Sequence, residues 1–283
     1  MGKLNNGWFS ETSPLWPGWA LSLEIEETLY SGKSKYQEID VYKTKSCGTM
    51  LVLDGVIQAT EFDESGYQEM LTHIPMFAHS CPEHVLVIGG GDGGILREIA
   101  KHKSVKEIDI CEIDEDVINV SKKFLPSMAC GFSDKRVSVH IMDGSLFIKD
   151  RQNYYDVIIV DSSDPVGPAE TLFKQSFYEG MKTALRPGGM IATQAESIFF
   201  HKDIVKSLIN TAKTLFPVYG YAVTLVPTYP GGNIGICIGS LGNDVKVPSR
   251  MPDDSMKGKL KYYSSEIHKA AFVLPAFGKD LFN

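Results

Sequence analysis

An apolar run, Val157-Ile158-Ile159-Val160, ends abruptly in Asp161-Ser162-Ser163-Asp164-Pro165. In an open α/β sheet, ligands sit just beyond the carboxyl ends of the strands. Two acids three residues apart at such an end face a bound molecule and favour a cation. A second apolar run, Val85-Leu86-Val87-Ile88, pours into Gly89-Gly90-Gly91-Asp92-Gly93-Gly94. Its Gly89-x-Gly91-x-x-Gly94 spacing satisfies a dinucleotide fingerprint, with Glu112 about 20 residues later at the end of the next strand. Glycines there allow a tight turn and close approach to a ligand, and the acid accepts hydrogen bonds from ribose hydroxyls. One loop reads as a nucleoside site and the other as an amine site.

Asp92 narrows the nucleoside. A carboxylate among the backbone donors of a pyrophosphate loop repels the pyrophosphate, whereas a nucleoside carrying a sulfonium and an amine welcomes it. Val139-His140-Ile141-Met142-Asp143-Gly144 places another acid at the end of another strand, suited to accept from an adenine amino group. The pattern favours an S-adenosyl compound over NAD.

The elements that must position these acids follow from periodicity. Short strands are expected over Ala20–Leu29, Lys35–Tyr42 and Thr49–Gln58, the last folded into a hairpin by Asp54-Gly55, a type I′ turn signal. Tyr67, Met70, Leu71, Ile74 and Phe77 recur at helical spacing within Asp63–His79. Strands and helices then alternate: strand to Ile88, helix Gly93–Lys101, strand Glu107–Cys111, helix Glu115–Phe124, strands Val137–Ile141 and Tyr155–Val160. Helix Gln175–Leu185, turn Arg186–Gly189, strand Met190–Gln194, helix Lys202–Leu215 and strands Tyr219–Val226 and Ile234–Gly239 complete the series. Alternation of this kind implies a mostly parallel sheet with helices on both faces. The expected architecture is α/β, a Rossmann-like, methyltransferase-type doubly wound sheet (61–283) preceded by a small N-terminal β domain (1–60).

Composition excludes several classes. With 283 residues, 43% of them hydrophobic, the chain can fill a sizeable core. A formal net charge of −7 argues against nucleic acid, whose binding needs Lys and Arg on the phosphates. The five cysteines are scattered and odd in number, without a Cys-x-x-Cys pair, which suits reduced thiols. The first residues lack the apolar core of a signal peptide, and no apolar run approaches a membrane span; a soluble, cytoplasmic protein is expected. His73, His140 and His201 lack metal spacing and read as structural or surface groups. Ser162 and Ser163 lie in no nucleophile-elbow motif, and Met50, Met70 and Met76 read as packing.

At this point the residues carry a resemblance over nearly the whole chain. Trp16-Pro17-Gly18, Val52–Gln58, Tyr67-Gln68-Glu69-Met70, Gly89–Gly94, Cys111-Glu112-Ile113-Asp114, Asp161–Pro165, Gly167-Pro168-Ala169-Glu170, Pro227-Thr228-Tyr229-Pro230, Leu260-Lys261-Tyr262-Tyr263 and His268–Pro275, in that order, resemble the spermidine synthases, which are polyamine aminopropyltransferases. The resemblance implies transfer of an aminopropyl group from decarboxylated S-adenosylmethionine to putrescine, and a homodimer. It implies that Gln37, Gln68, Asp92, Glu112, Asp143 and Gly144 bind the nucleoside donor, with Asp92 and Asp161 on its ammonium and Glu112 on its ribose. It implies that Tyr67, Asp161, Asp164 and Tyr229 bind putrescine, with Asp161 as proton acceptor and Gln194, Glu196 and Trp16 completing the far end of the diamine pocket. Phe199 stands where relatives often have Trp, a departure that bears on the shape of the outer pocket.

The chemistry that the resemblance implies is a direct displacement at the carbon next to a sulfonium, so neither cofactor nor metal is expected. The attacking amine must first lose a proton. Between an ordinary Asp at about 3.9 and an alkylamine at about 10.4 the gap is about 6.5 units, roughly 9 kcal/mol. Asp161 therefore needs a dry setting, which raises a carboxyl and lowers an amine. Tyr67, Tyr229 and Trp16 suit as walls, and the loop Asp164–Leu172 as a lid. The rivals are a putrescine N-methyltransferase, a spermine-forming aminopropyltransferase, an NAD-dependent oxidoreductase, which Asp92 disfavours, and a silent scaffold, which would have lost its pocket acids.

Overall fold

A computed structural model describes residues 2–165 and 167–282. The lid expectation, Asp164–Leu172, spans Val166 and to that extent lies outside the described residues. Six strands form the first sheet: β1 Lys3–Asn5, β2 Trp8–Glu11, β3 Leu21–Lys33, β4 Glu38–Thr44, β5 Thr49–Leu53 and β6 Val56–Thr60. They are neighbours in chain order and all antiparallel, a meander. Asp54 and Gly55 both take positive φ, 48° and 76°, as a type I′ turn between β5 and β6 requires. The hairpin β1–β2 escapes the reading of strands from periodicity. Its signal is the Asn6-Gly7 pair, at φ 49° and 79°, which is the same turn chemistry.

The second sheet holds β7 His84–Gly89, β8 Glu107–Glu112, β9 Val137–Ile141, β10 Tyr155–Asp161, β11 Leu185–Gln194, β12 Val218–Leu225 and β13 Asn233–Ser240. Its order is β12-β13-β11-β10-β7-β8-β9. The five strands from β11 to β9 run parallel, and β13 and β12 close one edge antiparallel. β7 and β10 lie in the middle and are covered on both faces, which explains their near-continuous apolar runs. β11 begins earlier than expected because Tyr155 pairs with Leu185 and Val157 with Met190. The turn Arg186–Gly189 is looped out between the two pairs.

Helix α1, Glu64–Ala78, lies on one face and is buried almost all round. Its buried Glu64, Gln68, Glu69 and His73 side chains are paired, as burial demands. Glu69, for example, accepts from the backbone N–H groups of Lys261, Tyr262 and Tyr263 at 2.8–2.9 Å. Beside it runs α2, Gly94–Ala100, and further along α3, Glu115–Phe124. Met70 and Met76 belong to the core beneath α1, and Met50 to the core of the first sheet; all three are fully buried. After β7 the chain winds to one side through β8 and β9, then returns to β10 and β11 on the other. The strand order therefore reverses between β7 and β10, where a crevice opens at the carboxyl ends.

Candidate active site

The crevice is floored by Gly89–Asp92 and Asp161–Asp164, the continuations of β7 and β10. Gly89 makes this juxtaposition possible. At φ 78°, a Cβ on it would lie 2.0 Å from the Asp161 carbonyl oxygen. Gly90 N–H donates to that same carbonyl at 3.0 Å, fixing the two loops together.

Asp161 accepts a hydrogen bond at Oδ1 from the Tyr67 hydroxyl, 2.7 Å. It is half-buried, and what remains uncovered opens into the crevice. Burial raises its pKa most, the charges of Asp92 and Glu112 add to that, and the Tyr67 bond opposes; the result is about 7. Tyr67 and Tyr229 stand with ring centroids 5.7 Å apart and both have pKa values pushed well above the ordinary tyrosine value, chiefly by burial. Tyr67 therefore remains a donor. Asp92 accepts at Oδ1 from Gly94 N–H, 2.7 Å, and at Oδ2 from Gln68 Nε2, 2.9 Å; burial raises it too. Glu112 ends β8, accepts from Asp114 N–H at 2.9 Å and is raised to about 7, mainly by burial.

Asp143 and Gly144 follow β9 on the crevice wall, with Asp143 also capping the short helix Gly144–Phe147 through Ser145 N–H at 2.7 Å. Gln37, from the β3–β4 loop, also lines the crevice and donates to Asp114 at 2.9 Å. Of the thirteen residues expected at the site, twelve line the crevice; Gln68 does not. It is buried one layer back, its amide braced between Asp92 and Arg97. This packing is tight: a Cβ on Gly94 would fall 1.9 Å from Gln68 Oε1. Gly94→Ala is expected to dislodge Gln68 and cost about 1–3 kcal/mol of stability, measurable by thermal melting together with weaker nucleoside-donor binding.

A second acidic focus lies at the outer end. Asp164 is raised to about 7, by burial first and then by the charge of Glu196, against the opposing effect of His201. Glu196, directly after β11 and Ala195, takes φ 62°, a strained position for a non-glycine residue and one that often marks a functional site. Its Oε2 lies 2.7 Å from His201 Nδ1, off the ring N–H direction. Trp16 packs on His201 with centroids 6.2 Å apart. The indole Nε1 of Trp16 and Oε1 of Gln194 are buried without a hydrogen-bond partner in the protein.

His201, expected as a structural or surface group, is buried, contacts the Leu15 carbonyl at 3.1 Å, pairs with Glu196 and lines the crevice. His73 is buried against Glu98, and His140 contacts Asp109 at 2.8 Å. Sequence patterning does not single out Glu11. It is buried on β2, accepts from Ile57 N–H at 2.6 Å and is pushed up to about 8 by burial, with the charge of Asp164 adding to the shift. A lone Glu in an N-terminal strand carries no motif that would reveal it. Phe199 is 58% exposed and packs edge-on against Phe277, off the described crevice wall.

The acids, the tyrosines and the glycine loop occupy the crevice together. Residues 64–248 match the family described as Spermine/spermidine synthase domain, and residues 7–61 the one described as Spermidine synthase tetramerisation domain. The chain belongs to the spermine/spermidine synthase family. It is 51% identical over 283 residues to a spermidine synthase of Dictyostelium discoideum, covering 100% of both chains. A spermidine synthase of Schizosaccharomyces pombe is 50% identical over 98% of this chain and 94% of its own. Among solved structures, a spermidine synthase in complex with the transition-state analogue AdoDATO superposes with a TM-score of 0.91 at 35% identity, covering 99% of this chain and 96% of its own. The spermidine synthase of Thermotoga maritima gives 0.88 at 34% identity, over 99% and 95%. As a member of this family the chain is an aminopropyltransferase, and its doubly wound sheet with a small antiparallel β domain is the fold of these neighbours. No helix among the described residues is long and apolar enough to cross a membrane.

Proposed function

We propose that this synthase transfers the aminopropyl group of decarboxylated S-adenosylmethionine to putrescine, giving spermidine and methylthioadenosine, with Asp161 as proton acceptor. One observation carries the reading: apart from His201, every charged side chain described on the crevice wall is acidic. Such a wall suits two cationic substrates and disfavours a pyrophosphate or a second carboxylate.

In the proposed mechanism Asp92, Glu112 and Asp143 hold the donor, Asp92 through its ammonium and Glu112 through its ribose. Tyr67, Asp161, Asp164 and Tyr229 surround the diamine, and Gln194, Glu196 and Trp16 lie toward its far nitrogen. The near ammonium gives a proton to Asp161, and the freed lone pair attacks the carbon bound to sulfur. As the new C–N bond forms, the C–S bond breaks and sulfur keeps the pair, leaving a neutral thioether. The elevated Asp161 makes the first step feasible. With its pKa near 7, the gap to an alkylamine narrows to about 3.4 units, roughly 5 kcal/mol. Desolvation of the amine reduces it further, and holding nitrogen in line with the C–S bond lowers the barrier. Displacement from a sulfonium requires no cofactor or metal. A cytoplasmic homodimer belongs to the same proposal, its size measurable by sedimentation.

Incubation with putrescine and either decarboxylated or intact S-adenosylmethionine, followed by mass spectrometry, tests the reading. Spermidine is expected with the decarboxylated donor alone. A methylated putrescine from the intact donor would overturn it, and spermine formed preferentially from spermidine would reassign the acceptor.

A further inference from the structure

Gln68 is an amide with two unlike ends, and only one of its two orientations is compatible with its neighbours. Its oxygen accepts from Arg97 Nη2 at 3.1 Å while its nitrogen donates to Asp92 Oδ2 at 2.9 Å. Turned over, it would set N–H against guanidinium and oxygen against carboxylate, opposing like with like at both ends. The guanidinium that makes this choice is itself fixed. Its two Nη groups fork onto Glu64 of α1 at 2.5 and 3.2 Å, and Nε donates to Glu98 at 2.8 Å. Glu98 is in turn held by His73 at 2.9 Å and Lys101 at 2.5 Å.

With Glu64 and Glu98 against it, Arg97 is already neutralised and is a poor counter-ion for Asp92. What it supplies is direction. Arg97 is absent from the crevice wall, yet the hydrogen bond that it enforces, together with that from Gly94 N–H, leaves each Asp92 oxygen with one donor from the protein.

We propose that Arg97 is a positioning residue for the donor: acting through the Gln68 amide, it orients the Asp92 carboxylate to receive the ammonium of the transferable chain. This rests on the reading of the crevice as a site for a sulfonium nucleoside bearing a primary amine. Two ligands separate this role from general support of the fold. Decarboxylated S-adenosylmethionine carries the ammonium; methylthioadenosine is the same nucleoside without the aminopropyl chain.

The test is calorimetric titration of both ligands into the full-length protein and its R97K and R97M variants, with steady-state kinetics alongside. R97K keeps a charge near Glu64 and Glu98 but gives up the fork, so it remains informative if R97M fails to fold. Loss of a hydrogen bond to a charged group predicts that the variants bind the decarboxylated donor about tenfold more weakly. Methylthioadenosine should bind within about twofold of the wild type, and donor KM should rise with a smaller change in kcat. Equal losses for both ligands, or no loss for either in R97K, would overturn the assignment. A wild-type protein that ignores the decarboxylated donor would instead overturn the functional reading beneath it.

Discussion

Asp161→Asn is expected to lower kcat by at least about a hundredfold at saturating concentrations of both substrates, the lower end of what a positioned proton acceptor contributes. The substitution is nearly isosteric, and the new amide oxygen can still accept from the Tyr67 hydroxyl that now lies 2.7 Å from Asp161. What is lost is the capacity to take a proton from an ammonium. The pH dependence should change with it. In the wild type, Asp161 is raised to about 7 by burial and by Asp92 and Glu112. It is protonated, and unable to accept, below that value. The wild-type kcat/KM for the diamine should therefore fall as pH drops through about 7, while the residual activity of D161N loses that limb. Rates measured from pH 6 to 9 decide the matter. Near-normal turnover by the variant would move the proton acceptor elsewhere.

The same acids should make the ligand-free protein less stable as pH rises. Glu112, Asp161 and Asp164 are raised to about 7 and Glu11 to about 8, chiefly by burial. Their unfolded values lie near 4. Between these limits the folded state binds more protons than the unfolded one, so stability falls as pH rises from about 4 to about 8. A shift of three units in one isolated carboxyl corresponds to about 4 kcal/mol. The groups repel one another and titrate together, so they do not add simply; a loss on the order of 5 kcal/mol between pH 5 and 8 is expected.

His79, His102 and His268, lowered mainly by burial, act in the opposite sense near pH 6.5 and offset part of this. Glu98, held near 2 by His73, Lys101 and Arg97 against its burial, loses its contribution only below about pH 4.5 and does not affect this window. Thermal melting across pH, with and without the decarboxylated donor, provides the check. The melting temperature should fall toward pH 8 without ligand and recover most there when a cation binds. A rise without ligand between pH 5.5 and 8.5 would refute the picture of an anionic crevice destabilising its own fold.

Much of this was legible because strands of a doubly wound sheet announce both themselves and their ends. Val157–Val160 and Val85–Ile88 are apolar on both faces, so the acids that terminate them had to stand at a rim. Asp92 was legible for a different reason: it is the wrong charge for the loop it occupies. What the sequence leaves illegible depends on distant residues meeting. Glu11 feels the charge of Asp164 only because β2 brings it beside Ile57. His201 gains its partner because the backbone turns sharply at Glu196. Gln68 could be assigned to the nucleoside by resemblance, but its place behind Asp92 follows from how α1 lies on α2, which periodicity cannot reveal.

The acids expected to hold the donor all stand at the ends of strands of the second sheet, while Trp16 reaches the outer focus from the first sixty residues, where buried Glu11 feels the charge of Asp164. The outer end of the acceptor site thus draws on the first twenty residues, which contribute none of the acids of the nucleoside cradle. A chimera that exchanged only residues 1–20 with a relative would alter the reception of the acceptor and leave the nucleoside cradle, Gln37 included, untouched. Chain-length preference among amines can drift, or be engineered, without disturbing the apparatus that makes the leaving group leave.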